Sequence, residues 1–348
     1  MLDLIRSPLD AFPEGVVRVL GGEVAYINGM AGHYLPDLSP GLPLPGWIPL
    51  PEAGEAGTGL FTVSANPYTY SCTPQGEEWT ILFRPAPQTA LTGRQLEGAL
   101  LQLRGLLGEI LAEVGPAAGK SGKKIPADAF SKSFHRLLRL TSNLEFMQQA
   151  AGEGETVFHP VTMDLAGLCR HVSELAGLLL QEAGVTLNYE SAQSGLLIPG
   201  DPELLQRLLL ELISNSARAV GEGRVTLSLC SAGGRARISI YDSGPVPDRR
   251  QVESMFQQGL GNSVPLPGQG AGLGLSIAHR IVALHGGAML VKYGGCAPSI
   301  LIALPTGPLD GKAALRTPAL QRDGGLDPVL LELSDVLPAH LFGIEDLD

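Results

Sequence analysis

No two cysteines in this chain lie close together. Cys72, Cys169, Cys230 and Cys296 are at least 61 residues apart, and none belongs to a CxxC pair. That spacing disfavours a zinc site and predicts buried free thiols in a reducing compartment. Basic residues are also scarce, 24 Lys and Arg against 35 Asp and Glu for a net charge of −11. The clustered cations that neutralise a phosphate backbone are missing, so no nucleic-acid partner is expected. No apolar run reaches the roughly 18 residues of a membrane span. The N-terminus, MLDLIRSPLDAF, lacks a basic-then-apolar signal pattern. A soluble, cytoplasmic protein with no membrane span is the expectation. Charge is low at 17% while hydrophobic residues reach 44%, which disfavours global disorder; 348 residues suit two or three modest domains.

What is present changes character along the chain. Residues 15–35 carry two short apolar stretches around Gly21-Gly22, then a short possible helix. A Pro- and Gly-rich stretch from Pro36 to Gly59 reads as irregular. GLFTVSANPYTYSC and EEWTILFRP follow as strand-like runs separated by a turn at Thr73-Pro74-Gln75-Gly76. A small mixed α/β module over 10–86 is expected. From residue 92 the period changes: Leu96, Leu100, Leu103, Leu107, Ile110 and Val114 recur at a 4-3 spacing, as do Phe130, Phe134, Leu137, Thr141 and Leu144. Gly115 to Pro126 separates the two runs. The pattern predicts an antiparallel helical hairpin over 92–150, pairing with a second copy into a four-helix bundle because one hairpin buries its seam poorly. Residues 156–305 read as an α/β layer domain, with helices over 164–182, 202–220 and 273–285 and strands at VTLNYE, RVTLSLC and ARISIYD. The last stretch, 306–348, is an acidic tail with one short amphipathic segment, DPVLLELSDVL, expected to carry no chemistry.

Three segments of the α/β domain point to chemistry when taken together. Glu211 and Asn215 stand four apart and therefore share a helical face, a carboxylate beside a carboxamide that suits holding Mg²⁺ through oxygen. Alone, such a pair is more often structural. Asp242 closes a strand of alternating apolar residues ahead of Gly244; it could accept from an exocyclic amine or simply make an Asp-Ser-Gly turn. Gly268, Gly270, Gly272 and Gly274 then alternate into an apolar helix, a pattern that lets backbone N–H groups close around phosphate. It lacks the Lys-Ser/Thr ending of a Walker A loop and the strand context of a Rossmann site.

In this order and spacing, with Asp201 before the helix, Phe256 ahead of the glycines and His285-Gly286-Gly287 after them, the segments resemble the ATP-binding domain of sensor histidine kinases. That domain belongs to the superfamily of gyrase, Hsp90 and MutL ATPases. The resemblance implies a multidomain α+β protein: a PAS-like sensor module, a dimeric helical hairpin, and a C-terminal α/β sandwich that binds ATP and Mg. It further implies Mg²⁺ held by Asn215 and Glu211 as the adjacent base or polar group. Arg218 would contact phosphate, and Asp242 with Gly244 would read adenine. Gly270, Gly272 and Gly274 would form a lid. The expected partners are a second copy of the chain and a response regulator, which takes the phosphoryl group from a histidine.

The sequence departs from that pattern at the acceptor. Aligning LLQLRGLLGEI with the segment that normally carries the histidine and its acid puts Leu101 and Gln102 there, and the first hairpin helix contains no histidine. His135 on the second helix is the substitute, followed by Arg136 and read as partly exposed. Val246 between Pro245 and Pro247 replaces a second glycine of the adenine turn, and Gly295-Cys296-Ala297 replaces a Gly-Thr. Two alternatives therefore stand beside an active kinase: an ATP-binding scaffold without phosphotransfer, and a serine kinase of the anti-sigma type, which usually lacks the hairpin.

Overall fold

A computed structural model of the chain describes residues 8–52, 54–86, 93–114, 127–151, 157–245, 273–293, 299–307 and 327–343. Its N-terminal module has strands β1 (Gly15–Leu20), β2 (Glu23–Ile27), β3 (Ala56–Val63), β4 (Asn66–Gln75) and β5 (Glu78–Pro85), and a short helix α1 (Gly29–Tyr34). The run GLFTVSANPYTYSC is thus not one strand but a hairpin. Ser64 and Ala65 turn it with φ of 48° and 63°, the left-handed conformation a two-residue hairpin loop requires and one that Ser-Ala does not advertise. Strand also begins inside the stretch read as irregular, at Ala56.

Two long helices follow, α2 (Gly93–Val114) and α3 (Ala127–Ala151). The two 4-3 stripes are only partly turned inward, through Leu103, Leu137 and Leu144. Leu96, Leu100, Leu107, Phe130 and Phe134 are exposed, whereas Ala99, Leu106, Leu140, Phe146, Met147 and Ala150 join the core. Each helix therefore carries a second apolar face.

The α/β domain contains β6 (Val161–Asp164), α4 (Leu165–Gln181), β7 (Val185–Ser191), β8 (Leu197–Gly200), α5 (Pro202–Val220), β9 (Gly223–Ala232), β10 (Arg235–Asp242), α6 (Gly274–Leu284), β11 (Ala288–Tyr293) and β12 (Ser299–Pro305). The α5 boundaries follow from local chemistry. The Asp201 side chain accepts from the Glu203 and Leu204 amides, Pro202 fills a first-turn position that needs no donor, and Gly221 ends the helix at φ 68°. Its Leu205, Leu208, Leu209, Leu212 and Ile213 are fully buried, each contributing roughly 1.5–3 kcal/mol of apolar burial. A last helix, α7 (Pro328–Glu332), is capped the same way by Asp327.

One ten-stranded sheet runs through both modules in the order β2-β1-β5-β4-β3-β11-β12-β10-β9-β7. All its pairings are antiparallel except β7 with β9. The join is β3 on β11, with Gly59 opposite Leu290 and Gly57 opposite Lys292. A Cβ at Gly59 would lie 2.1 Å from the Met289 carbonyl, and one at Gly57 2.5 Å from the Leu290 side chain, so glycine is required for this approach. The two cores lie on opposite faces. Met289 of β11 belongs to the core under α4, α5 and α6, while its neighbours Ala288 and Leu290 belong to the core of the N-terminal module, as a two-residue period dictates.

Candidate functional site

The buried face of α5 presents Glu211, which is 1% exposed, and one turn later Asn215. The N-terminus of α6 faces them: a Cβ on Gly274 would sit 2.7 Å from Glu211 Oε2 and 3.3 Å from Asn215 Nδ2. Among the described residues no side chain caps that helix end, where Leu273 stands at the capping position. Its first-turn N–H groups thus lack the usual side-chain acceptor and can serve an anion. Asn215 Oδ1 accepts from Arg218 Nη2 at 2.8 Å. Glu211 Oε1 is buried with no hydrogen-bond partner among the described residues, a costly state that a ligand would relieve.

Asp242 ends β10 and is half-buried. Burial raises its carboxyl above the ordinary carboxylate range, opposed by the Gly244 amide and the Ser216 hydroxyl. The Gly244 amide donates to Asp242 Oδ1 at 3.0 Å. A Cβ at Gly244 would lie 2.8 Å from that oxygen and 3.3 Å from the Ala219 carbonyl, so the turn closes tightly only with glycine. Glu211, Asn215, Arg218, Asp242, Gly244 and Gly274 are thus carried by one helix, one strand end and one facing helix start. Gly268, Gly270, Gly272, Val246 and Phe256 lie outside the described residues.

His135 corrects the expectation of partial exposure. It is 7% exposed, its ring lies tilted at 5.0 Å from Phe342, and its Nδ1 is 2.8 Å from the Ser131 carbonyl. In this arrangement the imidazole is covered. Leu101, at the aligned acceptor position of α2, is 52% exposed. His285 is structural: its Nδ1 is held 2.7 Å from the Ile281 carbonyl and its Nε2 accepts from the Asp201 amide at 3.0 Å. This locks the α5 cap to the end of α6. Cys72 and Cys169 are buried free thiols pushed up to about 12 by burial, whereas Cys230 is exposed.

Sequence reasoning missed a cluster of ionised groups beside Glu211. Arg139 of α3 is 6% exposed. Its Nη2 donates to Glu211 Oε2 at 2.8 Å, its Nε to Glu332 Oε2 at 2.9 Å and its Nη1 to Asp335 Oδ2 at 2.9 Å. Asp335 also accepts from Arg136 Nε at 2.9 Å and lies 3.9 Å from Arg218 Nη1. Burial works against the Arg139 charge, but the three carboxylates outweigh it and raise its pKa. Burial likewise works against Asp335 ionisation and is outweighed by Arg139 and Arg136, which lower its pKa. Burial raises Glu332 despite Arg139. The only sequence signal was the Glu332 and Asp335 pair, three apart on one amphipathic segment.

A helical face with carboxylate and carboxamide, an Asp-Ser-Gly strand end and a facing helix start lie together in one α/β domain. Residues 200–307 match the family of histidine kinase-, DNA gyrase B-, and HSP90-like ATPases. The sensor histidine kinase ZraS of Escherichia coli K12 is 27% identical over 198 residues, covering 57% of this chain and 40% of its own. The sensor histidine kinase TmoS of Ectopseudomonas mendocina is 35% identical over 135 residues, 37% of this chain and 14% of its own. The histidine kinase ThkA, solved in complex with response regulator protein TrrA, shares the fold at a TM-score of 0.51 and 16% identity over 86% of this chain and 98% of its own. Residues 200–307 therefore form a domain of that ATPase family, and the chain is similar to sensor histidine kinases over 57% of its length. It spans about 40% of the length of the ZraS relatives it matches.

Proposed function

We propose that the chain binds Mg-ATP between α5 and α6 and signals within a two-component pathway, with a response regulator as partner. The observation that carries this reading is the buried, unpartnered Glu211 Oε1 beside Asn215 and the Gly274 helix start. Asn215 would hold Mg²⁺ through its carboxamide oxygen once Arg218 turns outward. Magnesium, when bound, would neutralise phosphate charge. The α6 amides would bind phosphate oxygens, and Asp242 would accept from the adenine amine while Gly244 lets the chain pass close to the base. Gly270 and Gly272 complete the proposed lid. The antiparallel order β2-β1-β5-β4-β3 with α1 is compatible with a reduced PAS-like sensor.

In the kinase reading, the ATP γ-phosphorus–oxygen bond breaks to leave ADP as a P–N bond forms to an imidazole. Glu211 would take the imidazole proton, and an aspartate of the regulator would then receive the phosphoryl group. The exposed stripe of Leu96, Leu100, Leu107, Phe130 and Phe134 supports a homodimer through the hairpin. Light scattering at micromolar concentration should give twice the chain mass, and a monomer would count against it. The covered His135 and exposed Leu101 favour a second reading, an ATP-responsive regulator without its own acceptor. Incubation with γ-labelled Mg-ATP separates the two. Acid-labile, base-stable label lost in His135→Ala would establish the kinase and its acceptor; absence of label with confirmed nucleotide binding would favour the regulator.

A further inference from the structure

The segment 327–343 is built into the molecule. Val329, Leu333, Leu337 and Phe342 are buried, all four within the core shared by α3, α4 and α5. The segment follows α3, from Asp335 at Arg139 and Arg136 to Phe342 against His135 and Gly343 beside Asp128. At its α5 end it reaches the residues assigned to nucleotide. Glu332 and Asp335 hold two edges of the Arg139 guanidinium whose third edge occupies Glu211 Oε2. Asp335 also lies 3.9 Å from Arg218, which in turn caps the Asn215 oxygen. One acidic segment thereby keeps two arginines turned onto Glu211 and Asn215.

We infer that residues 327–343 are an autoinhibitory strap, which ties hairpin helix α3 to α5 through Arg139 and must loosen for Mg-nucleotide to bind. The inference rests on the proposed ATP site and adds its regulation. Nucleotide phosphates would draw Arg218 off Asn215, and Glu211 cannot serve a reacting group while paired to Arg139. The strap and the nucleotide therefore compete, and by linkage each weakens the other by the same factor. Burial of Val329, Leu333 and Leu337 holds the strap by apolar contact; the carboxylates direct what it does to the arginines.

Two variants of the full chain perturb the strap by different means. Glu332→Gln with Asp335→Asn removes its charges, whereas Leu333→Ala loosens its packing and leaves the Arg139–Glu211 pair its partners. Binding of the non-hydrolysable analogue Mg-AMPPNP is measured by calorimetry. Amide hydrogen exchange follows residues 329–337, and circular dichroism confirms that each variant is folded. Both variants should bind the analogue about tenfold more tightly than the unaltered chain. Saturating analogue should speed exchange in 329–337 of the unaltered chain while α5 stays protected. Equal affinity in all three, with strap exchange unmoved by nucleotide, would overturn the strap and leave the ATP site standing. Absence of binding in all three would overturn the ATP site, and the strap's role with it.

Discussion

Asn215→Ala is expected to weaken Mg-nucleotide binding on the order of 100-fold, close to 3 kcal/mol. The Asn215 carboxamide stands beside the Gly274 helix start; in the proposed site its oxygen ligates the cation, and alanine offers no oxygen. The substitution should leave the fold intact, because among the described residues the Asn215 side chain donates to no buried acceptor and its oxygen serves Arg218, which is 43% exposed. Calorimetry with Mg-AMPPNP, repeated with ADP and chelator, separates the metal contribution from the base and ribose. The loss should appear with metal and largely vanish without it. An unchanged affinity in the presence of Mg²⁺ would remove Asn215 from the site.

Arg139→Met should cost about 3–5 kcal/mol of stability, the range found when one partner of a buried ion pair is removed. Three carboxylates, Glu211, Glu332 and Asp335, converge on this guanidinium within 2.9 Å. Arg136 and Arg207 remain, but of these three carboxylates Arg136 pairs with Asp335 and Arg207 with Glu332. Glu211 would be left charged and buried. Arg139→Lys should be intermediate, since one ammonium keeps the charge but not the three-way fork. Adding Glu332→Gln to Arg139→Met should recover part of the loss, and denaturant midpoints would record all four chains.

The pH dependence has a definite sign. Asp335 has its folded pKa lowered below the usual 3.8 by the arginines, against the opposing pull of burial. Its contribution is therefore present above about pH 4 and lost as pH falls through the lower folded value. In Arg139→Met much of that lowering disappears. The difference between the two chains should be largest near neutrality and shrink in acid as the carboxyl groups take up protons. A constant difference from pH 7 to pH 3 would show that packing, not charge, sets the cost.

The parts of the site that could be read from sequence are those whose neighbours are close along the chain. Asp201-Pro202 announces the start of α5, and a spacing of four puts Glu211 and Asn215 on one face. The Asp242-Ser-Gly244 turn and the Gly274 helix start carry their own local chemistry. Arg139 was invisible because its partners lie 72 to 196 residues away, and an arginine on an amphipathic helix ordinarily faces solvent. The 4-3 stripes were found correctly as stripes. Which apolar face turns inward was decided by packing against α5 and the C-terminal segment, which periodicity cannot rank. The β3–β4 hairpin was missed because a Ser-Ala loop has none of the glycine or asparagine that marks such turns.

The junction of β3 with β11 has a mechanical consequence. A module tethered by a loop can swivel freely, but this one is hydrogen-bonded into the same sheet whose far side carries α5 and α6. Lys292 reinforces the seam, 3.2 Å from Glu55 and 5.8 Å from the Tyr241 ring centre. Because Met289 and Leu290 serve opposite cores, slipping the seam by a single residue would turn both inside out. Small displacements must therefore pass across it as torsion. A change in the twist of β1 to β5 would be delivered through β11 to the floor beneath α6, much as a turned shaft carries rotation to its far end.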